Sequence, residues 1–349
     1  MESILSIIEK GVGNSKIMPI TQYIHFSIDK GVLYITATDL NNFITYRKNE
    51  LKNAEDGEAI IHADSVIKLT KRTTKEEMEF IKHDEHVEVK GNGNYKIGLL
   101  DDEFPEYNFD VKKENKTETV DVQKIKNVIN INESAISKEM IVPVLSGYNI
   151  GKNAITTDGI KMCINDKKLT EQNVLITQQM ATLLNTLTDE TVEMIKDGNK
   201  LYWETKNIQI YGSELEGIDD YPNITPLLEL EHDGVAKINK QQVLDAMDRL
   251  MIFSDPISNN GINFNFKNDV LELTDINENS VEEIEYQSNK NDSEENVNVL
   301  VNIYYLKDLL NVFSKKEVEF HYGNDMPMKI VEGDVSNIIS IMEENESNE

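Results

Sequence analysis

Apolar residues recur at the three-to-four-residue spacing of an amphipathic helix in six separate segments of the chain. These segments are 4–8, 64–72, 122–129, 178–187, 243–250 and 304–313. In the last one, Tyr305, Leu306, Leu309, Leu310 and Phe313 would form one buried stripe. The spacing therefore predicts six amphipathic helices spread along the chain.

Between these segments, apolar and polar residues alternate with the period of a half-buried β-strand. Clear examples are Glu79–His83, His86–Lys90 and Tyr95–Leu100. The segment Gly91–Asn94 contains the Asn-Gly pair typical of a tight hairpin turn. The alternation predicts antiparallel strands, and together with the helices it indicates an α+β fold.

The same succession of helix, proline and strand occurs three times, around Pro19, Pro143 and Pro256. The intervals between these prolines are as long as a whole domain and too long for a solenoid repeat. Lysine-rich Val111–Thr119 and acidic Leu228–Gly234 have the composition of linkers. The sequence therefore predicts three similar domains, each with two helices and antiparallel strands, over residues 1–115, 116–231 and 232–349.

Composition favours a multidomain protein of the cytoplasm. A chain of 349 residues with 39% hydrophobic content is long enough to bury two or three cores. Cys163 is the single cysteine, which excludes an intramolecular disulfide framework and indicates a reducing compartment. No apolar run approaches the roughly 20 residues of a membrane helix, and no charged leader followed by an apolar core opens the chain. We expect no contact with a membrane.

The formal net charge of −28 would by itself argue against a nucleic-acid partner, because phosphates bind Lys and Arg. The acidic residues are, however, concentrated in predicted loops and at the chain end, whereas many lysines lie on the predicted helices. These lysines are either the solvated faces of ordinary helices or a surface that faces DNA. Charge alone leaves both interpretations open.

Residue patterns for catalysis or for a cofactor are weak. The glycines of Gly91–Gly98 lie between two alternating runs and lack the Gly-Lys-Ser/Thr ending of a phosphate loop. His83 and His86 resemble a metal pair, but a tight turn must lie at the same place and no second ligand cluster follows. Asp101 and Glu103 have the composition of a solvated loop. We expect no catalytic residues, no metal and no cofactor.

Several short motifs, in this order and spacing, resemble the bacterial-type DNA sliding clamp, the beta subunit of DNA polymerase III. The motifs span nearly the whole chain: Met18-Pro-Ile20, Leu33–Leu40, Glu103-Phe-Pro-Glu-Tyr107, Pro143–Gly147, Thr157-Asp-Gly159, Asp219-Asp-Tyr221 and Asp245–Ser254. The resemblance implies a head-to-tail homodimer whose six domains close a ring around double-stranded DNA. It also implies DNA polymerase and a clamp loader as protein partners.

The resemblance further implies three groups of site residues. Basic residues on or beside the helices would face DNA without reading its sequence: Lys10, Lys16, Lys68, Lys71, Arg72, Lys124, Lys126, Lys138, Lys240 and Arg249. A hydrophobic groove for partner peptides would be formed by Leu145, Thr157, Gly159, Ile160, Lys161, Met162, Asn223, Ile224, Tyr305, Ile338, Ile339, Ser340, Ile341 and Met342. The dimer interface would join Phe104 and Tyr107 of one copy to Ile252 and Phe253 of the other.

Members of this family usually have His-Arg in place of Ile160-Lys161, Phe-Pro in place of Ile218-Asp219, and Arg in place of Asn223. The partner motif is therefore expected to differ from the usual one, as in a divergent and phage-encoded replication system. A function of another class is an acidic, non-catalytic DNA mimic or interaction scaffold, whose negative surface would be the functional element. The remaining alternative is an enzyme that uses Asp101 and Glu103.

Overall fold

The computed structural model describes residues 1–49, 51–107, 116–139, 141–267, 269–288 and 296–343. Antiparallel sheets carry short helices, which confirms the α+β class. Most of the predicted linker Val111–Thr119, most of the polar loop 288–296 and the tail from residue 344 onward lie outside the described residues.

All six segments with helical spacing form helices. The α-helices of the described residues are α1 Glu2–Ile8, α2 Ala63–Arg72, α3 Val122–Asn132, α4 Gln178–Leu184, α5 Thr225–Leu228, α6 Lys240–Leu250 and α7 Ile303–Asn311. Side-chain oxygens of Thr177, Asn239 and Asn302 accept hydrogen bonds from the first backbone N–H groups of α4, α6 and α7. These caps set where the three helices begin.

The strands are short, and several alternate between buried and more exposed positions along their length. In the first third they are β1 Tyr23–Asp29, β2 Val32–Thr38, β3 Asn42–Lys48, β4 Gly57–His62, β5 Glu79–Lys82, β6 His86–Lys90 and β7 Asn94–Gly98. In the second they are β8 Thr117–Asp121, β9 Tyr148–Ile150, β10 Ala154–Thr157, β11 Lys161–Asn165, β12 Val174–Ile176, β13 Thr191–Asp197, β14 Lys200–Glu204 and β15 Ile208–Ser213. In the last they are β16 Gly234–Asn239, β17 Gly261–Lys267, β18 Val270–Asp275, β19 Val281–Glu285, β20 Gln287–Ser288, β21 Val297–Asn302, β22 Glu317–Tyr322, β23 Met328–Glu332 and β24 Val335–Ile339.

The same series of elements occurs three times along the chain. Each series has a first helix that continues into a 3-10 turn, a proline-led 3-10 turn, three strands, a fourth strand that leads into the second helix, and three closing strands. The 3-10 turns after the first helices are Glu9–Gly11, Glu133–Ala135 and Met251–Phe253. The structure therefore confirms the repetition that the prolines indicated.

One compact unit comprises residues 1–126 and 176–216. Its eight-stranded sheet has the order β4-β1-β2-β3-β15-β14-β13-β8, and a second sheet has the order β5-β6-β7. The pair β3–β15 continues the sheet of the first third into the second third, and it places Phe43 opposite Tyr211. Helices α1 and α2 pack against each other and bury Leu5, Ile8 and Val66.

The other compact unit comprises residues 127–175 and 217–349. Its nine-stranded sheet has the order β12-β9-β10-β11-β24-β23-β22-β16-β20, and its four-stranded sheet has the order β19-β18-β17-β21. The pair β11–β24 places Met162 opposite Ile338. Helices α6 and α7 pack together over a core that contains Phe264 and Phe320.

These units do not follow the predicted thirds, because each large sheet continues from one third into the next. The boundaries after residues 115 and 231 stay a prediction about the repeat. Within the described ranges, no helix combines the length and the apolar character needed to cross a bilayer.

Candidate functional site

Half of the candidate DNA-facing cations are exposed and carry no ion pair to a carboxylate in the part of the chain that the structure describes. They are Lys10, Lys16, Arg72, Lys124 and Lys138. Each lies on a first or second helix of the series or on the segment that directly follows one. Their charges are available to an external anion such as a phosphate.

Two further candidates on α2 are already held by carboxylates. Lys68 Nζ lies 2.8 Å from the Asp64 carboxylate one helical turn away, and Lys71 Nζ lies 2.6 Å from Glu9 Oε2. All four side chains are exposed enough for solvent to screen these pairs. A phosphate would therefore compete with a weak internal partner at both lysines.

Arg249 near the end of α6 is bound more firmly. Its Nε lies 2.6 Å from Glu282 Oε1 and its second guanidinium nitrogen lies 2.8 Å from Glu282 Oε2. This two-point hydrogen bonding raises the pKa of Arg249 and lowers the pKa of the Glu282 carboxyl. Arg249 thus presents a neutralised pair to solvent and is the weakest candidate for a DNA contact.

The last two candidates each donate a hydrogen bond to a backbone carbonyl that lies just beyond the second helix of the same series. Lys126 Nζ lies 2.8 Å from the carbonyl oxygen of Leu187, and Lys240 Nζ donates to the carbonyl oxygen of Phe313. Both carbonyls follow the end of a helix, α4 or α7, where the helix dipole favours a cation. These two lysines stabilise helix ends in addition to any contact with a ligand.

Two turns that join neighbouring strands have the same hydrogen bonds. Thr38 Oγ1 donates to the carbonyl oxygen of Asn42 at 2.7 Å, and Thr157 Oγ1 donates to that of Lys161 at 2.8 Å. The middle residue of each turn has a positive φ, 78° at Leu40 and 93° at Gly159. Equivalent positions of the first two thirds therefore fold alike at atomic detail.

An aspartate completes each of these turns. Asp158 Oδ1 accepts the backbone N–H groups of Ile160 at 2.9 Å and Lys161 at 2.8 Å. Asp39 accepts the equivalent N–H groups of the first turn. In the second turn these bonds hold the Ile160 side chain out toward solvent, where it is exposed.

The candidate groove residues all belong to the compact unit of residues 127–175 and 217–349, and some of them lie in one of two apolar clusters. Met162, Ile224 and Ile338 form a small cluster with Ile155 and Ile164, which we call the apolar floor. The partly buried side chains of Tyr221 and Leu227 pack against this floor. The floor residues are themselves 0–8% exposed, so the apolar anchor of a peptide would reach them at their edge, beside exposed Ile160.

Other groove candidates have structural roles. Ile339 is fully buried in the main core, so it supports the floor from below and offers no accessible wall. Leu145 is buried to the same degree as the floor residues. Ser340 N donates to the carbonyl oxygen of Ile160 at 2.9 Å, and Met342 N donates to that of Leu300 at 2.8 Å. These bonds hold Ser340 beside Ile160 and Met342 beside Leu300.

Lys161 is buried, although it was expected to line the groove. Its side chain is 7% exposed, and its Nζ lies 3.1 Å from Asp308 Oδ2. The same Nζ lies 5.3 Å from the centre of the Tyr305 ring, within the range of a cation–π contact. The charge of Lys161 is therefore satisfied internally and contributes little to the potential outside.

The four candidates for the dimer interface differ sharply in exposure. Ile252 is 77% exposed and Phe253 is 49% exposed. Phe104 instead stacks on the ring of His25 at 5.2 Å, and the ring of Tyr107 lies 5.4 Å from that of Phe43. Phe104 and Tyr107 are thus engaged within their own chain.

Two edge strands present features that the sequence analysis missed. Strand β7 ends the sheet β5-β6-β7, and strand β19 ends the sheet β19-β18-β17-β21. Tyr95 on β7 is 40% exposed and Val281 on β19 is 57% exposed. A signal in the sequence could have indicated these two edges: Asn94–Gly98 contains a lysine, whereas Val281–Glu285 contains three glutamates, so the two strands carry opposite charge.

The weak catalytic and metal patterns have structural explanations. The rings of His83 and His86 stack at 4.7 Å, and His83 Nε2 lies 3.5 Å from Glu88 Oε2. No group of three metal-ligating side chains converges within the described ranges. Cys163 is buried, and burial raises the pKa of its thiol, which keeps it protonated.

Comparisons with known proteins give one domain match and a fold. Residues 226–342 match the family model for the C-terminal domain of the DNA polymerase III beta subunit. No curated protein is significantly similar to the chain in sequence.

Solved structures match along nearly the whole chain. The DNA polymerase III subunit beta from Pseudomonas aeruginosa has a TM-score of 0.87 at 18% identity, over 97% of this chain and 96% of that chain. The beta subunit from Thermotoga maritima has a TM-score of 0.86 at 17% sequence identity, and the match covers 98% of this chain and 97% of that chain. The sliding clamp from Bacillus subtilis has a TM-score of 0.85 at 20% sequence identity, and the match covers 98% of this chain and 96% of that chain. Residues 226–342 thus match the C-terminal domain family of the DNA polymerase III beta subunit, and the chain as a whole has the fold of the bacterial sliding clamps.

Proposed function

We propose that this protein is a non-catalytic DNA sliding clamp of the cytoplasm, which encircles duplex DNA and tethers a replicative polymerase for processive synthesis. The observation that carries the proposal is the match of residues 226–342 to the C-terminal domain of the beta subunit, within a chain that has the clamp fold throughout. The threefold series of elements supports three clamp domains over residues 1–115, 116–231 and 232–349.

The contact with DNA would depend on the exposed cations. A closed ring need not bind DNA tightly, because the topological link alone prevents escape. Lys10, Lys16, Arg72, Lys124 and Lys138 would make weak phosphate contacts that carry no sequence information and allow sliding. The negative charge of the remaining surface would oppose DNA binding elsewhere.

Two contacts inside the chain suggest how a ring would close. At each joint between thirds, the third strand of one series pairs with the last strand of the next, β3 with β15 and β11 with β24. At each joint the 3-10 turn after the first helix also packs against the second helix of the next series. The third strand of the last series is β19, and the last strand of the first series is β7.

Continuing this rule between two copies pairs β19 of one with β7 of the other. It also seats Ile252 and Phe253 on α2 of the second copy, which accounts for their exposure in one chain. The exposed Glu283 and Glu285, which share one face of β19, would lie close to Lys96 across the new strand pair. We therefore propose β7 and α2 as the partners of Ile252 and Phe253, in place of Phe104 and Tyr107.

The apolar floor and the exposed Ile160 beside it would bind short peptides from a DNA polymerase and a clamp loader. Anchor side chains such as Leu or Phe would pack on Met162, Ile224 and Ile338. Asn223, Tyr305 and Ser340 would form the polar edge of this groove.

Loading on nicked circular DNA by a clamp loader, followed by linearisation, tests the function. A clamp stays with the circle during gel filtration in moderate salt and is released when the circle is cut. Equal retention before and after cutting would indicate ordinary affinity. Absence of retention, with binding to basic proteins, would favour an acidic DNA mimic, which the net charge of −28 also suits.

A further inference from the structure

The surroundings of the apolar floor are acidic. Asp158 closes the turn that holds Ile160, and Asp219 and Asp220 lie in the 3-10 turn Ile218–Asp220 that leads into Tyr221. None of these three carboxylates forms an ion pair with a side chain of the described ranges. Their negative charges are therefore available to interact with a charged group of a bound ligand.

Contacts of Tyr221 connect the two acidic segments to one surface. Its ring packs on the apolar floor, and its hydroxyl donates to the carbonyl oxygen of Ile155 at 3.1 Å. Ile155 lies on β10, the strand that ends directly before Asp158. Asp220 directly precedes Tyr221 and Asp158 directly follows β10, so both acidic segments adjoin residues that pack in or on the floor.

Nearby positive charges offset these carboxylates only in part. Lys161 is neutralised by Asp308, and burial keeps its Nζ from solvent. Lys138 is exposed near the backbone of Leu145, but exposed Glu139 follows it. Lys329 is partly buried and lies opposite Ile338 in the β23–β24 pair, so one cation lies beside the floor against the three carboxylates, which leaves these groups negative in sum.

We propose that the peptides bound at this floor carry lysine or arginine residues beside their apolar anchor, placed against Asp158, Asp219 and Asp220. The inference rests on the proposed function, because it takes the groove to be a partner site. The apolar floor supplies affinity, and the carboxylates discriminate between flanking charges, since like charges near a groove weaken binding and opposite charges strengthen it. The client motif would thus be apolar and basic.

Fluorescence anisotropy with three labelled peptides tests this on the full-length protein. One peptide has Leu and Phe anchors flanked by lysines, the second has the same anchors flanked by glutamates, and the third keeps the lysines but has serines for anchors. At low salt the first should bind about five- to tenfold more tightly than the second, and the ratio should fall toward one at high salt. The third should bind at least about tenfold more weakly than the first.

The triple variant D158N/D219N/D220N removes the charges and keeps the hydrogen-bond acceptor at Asp158. It should lose the preference for lysine flanks, whereas the control D101N/D102N/E103Q should keep it. Equal binding of the first two peptides, tight binding of the anchorless peptide, or no binding of any peptide would overturn the inference. Retention on circular DNA measured in parallel separates that outcome from failure of the clamp function.

Discussion

Phe43 of β3 lies directly opposite Tyr211 of β15, although the two residues belong to different thirds of the chain. Met162 of β11 lies opposite Ile338 of β24 in the same relationship. Both pairs follow a turn with identical threonine and aspartate hydrogen bonds. One rule of docking therefore joins successive thirds, and its repetition is the basis for the proposed ring.

The double variant I252A/F253A should be monomeric in sedimentation velocity at concentrations where the wild type is a dimer. These side chains are exposed in a single chain, and burial at an interface would stabilise by about 1.5–3 kcal/mol for each large apolar side chain. I17A is the matched control, because Ile17 is even more exposed and lies in no proposed contact. A dimer that persists in the double variant contradicts the proposed interface.

Neutralising Lys10, Lys16, Lys124 and Lys138 together to glutamine should shorten retention on circular DNA. Each exposed cation contributes a phosphate contact, so the dependence of retention on salt should also become less steep. The control replaces Lys75, Lys82, Lys152 and Lys206, which are equally exposed and change the net charge by the same amount. Equal loss in both variants would mean that overall charge, and no particular surface, governs retention.

G159A should destabilise the fold by about 1 kcal/mol in urea denaturation, because φ at Gly159 is 93° and an alanine side chain is strained there. Gly57 has open space around its Cα and no positive φ, so G57A should change the free energy of unfolding by less than about 0.5 kcal/mol. Similar values for the two variants would show that the turn adapts without strain.

Stability should fall as the pH is lowered from about 7 to 5.5, partly through His321. Burial lowers its pKa below the ordinary value of 6.5, and the nearby charges of His232 and Lys329 add to the effect, against Glu319. The folded state then binds fewer protons than the unfolded state, so stability is full above pH 6.5 and is lost as pH falls toward the lowered pKa. H321Q should show a flatter pH dependence, and an unchanged slope would exclude His321 as a contributor.

The sequence was sufficient to predict the local elements. Helix α6 forms where Val243, Leu244, Met247 and Leu250 make one stripe, and the Asn239 side chain caps its start. Such signals are local, because a buried stripe and a cap depend on residues a few positions apart. The repeat was visible for the same reason, since each copy carries its own stripe, proline and turn.

Strand partners and side-chain pairs were not accessible from the sequence. Alternation in β3 is the same whichever strand lies beside it, so the pairing with β15 depends on how the thirds dock. The carboxylates that hold Lys71 and Arg249 come from Glu9 and Glu282 on other elements. The resemblance implied that Phe104 and Tyr107 lie in the dimer interface. In the structure, their rings contact His25 and Phe43 of the same chain.

The central claim is that two copies close around DNA through β19 and β7. Cysteines placed at Lys96 and Glu283 can be joined by a short bismaleimide, since the only natural cysteine, Cys163, is buried and unreactive. After loading on a closed circular plasmid and cross-linking, we expect a protein–DNA species that survives SDS and disappears when the plasmid is linearised. Cross-linked dimers that SDS strips from the intact circle would contradict the claim, as would the absence of any cross-link between these strands.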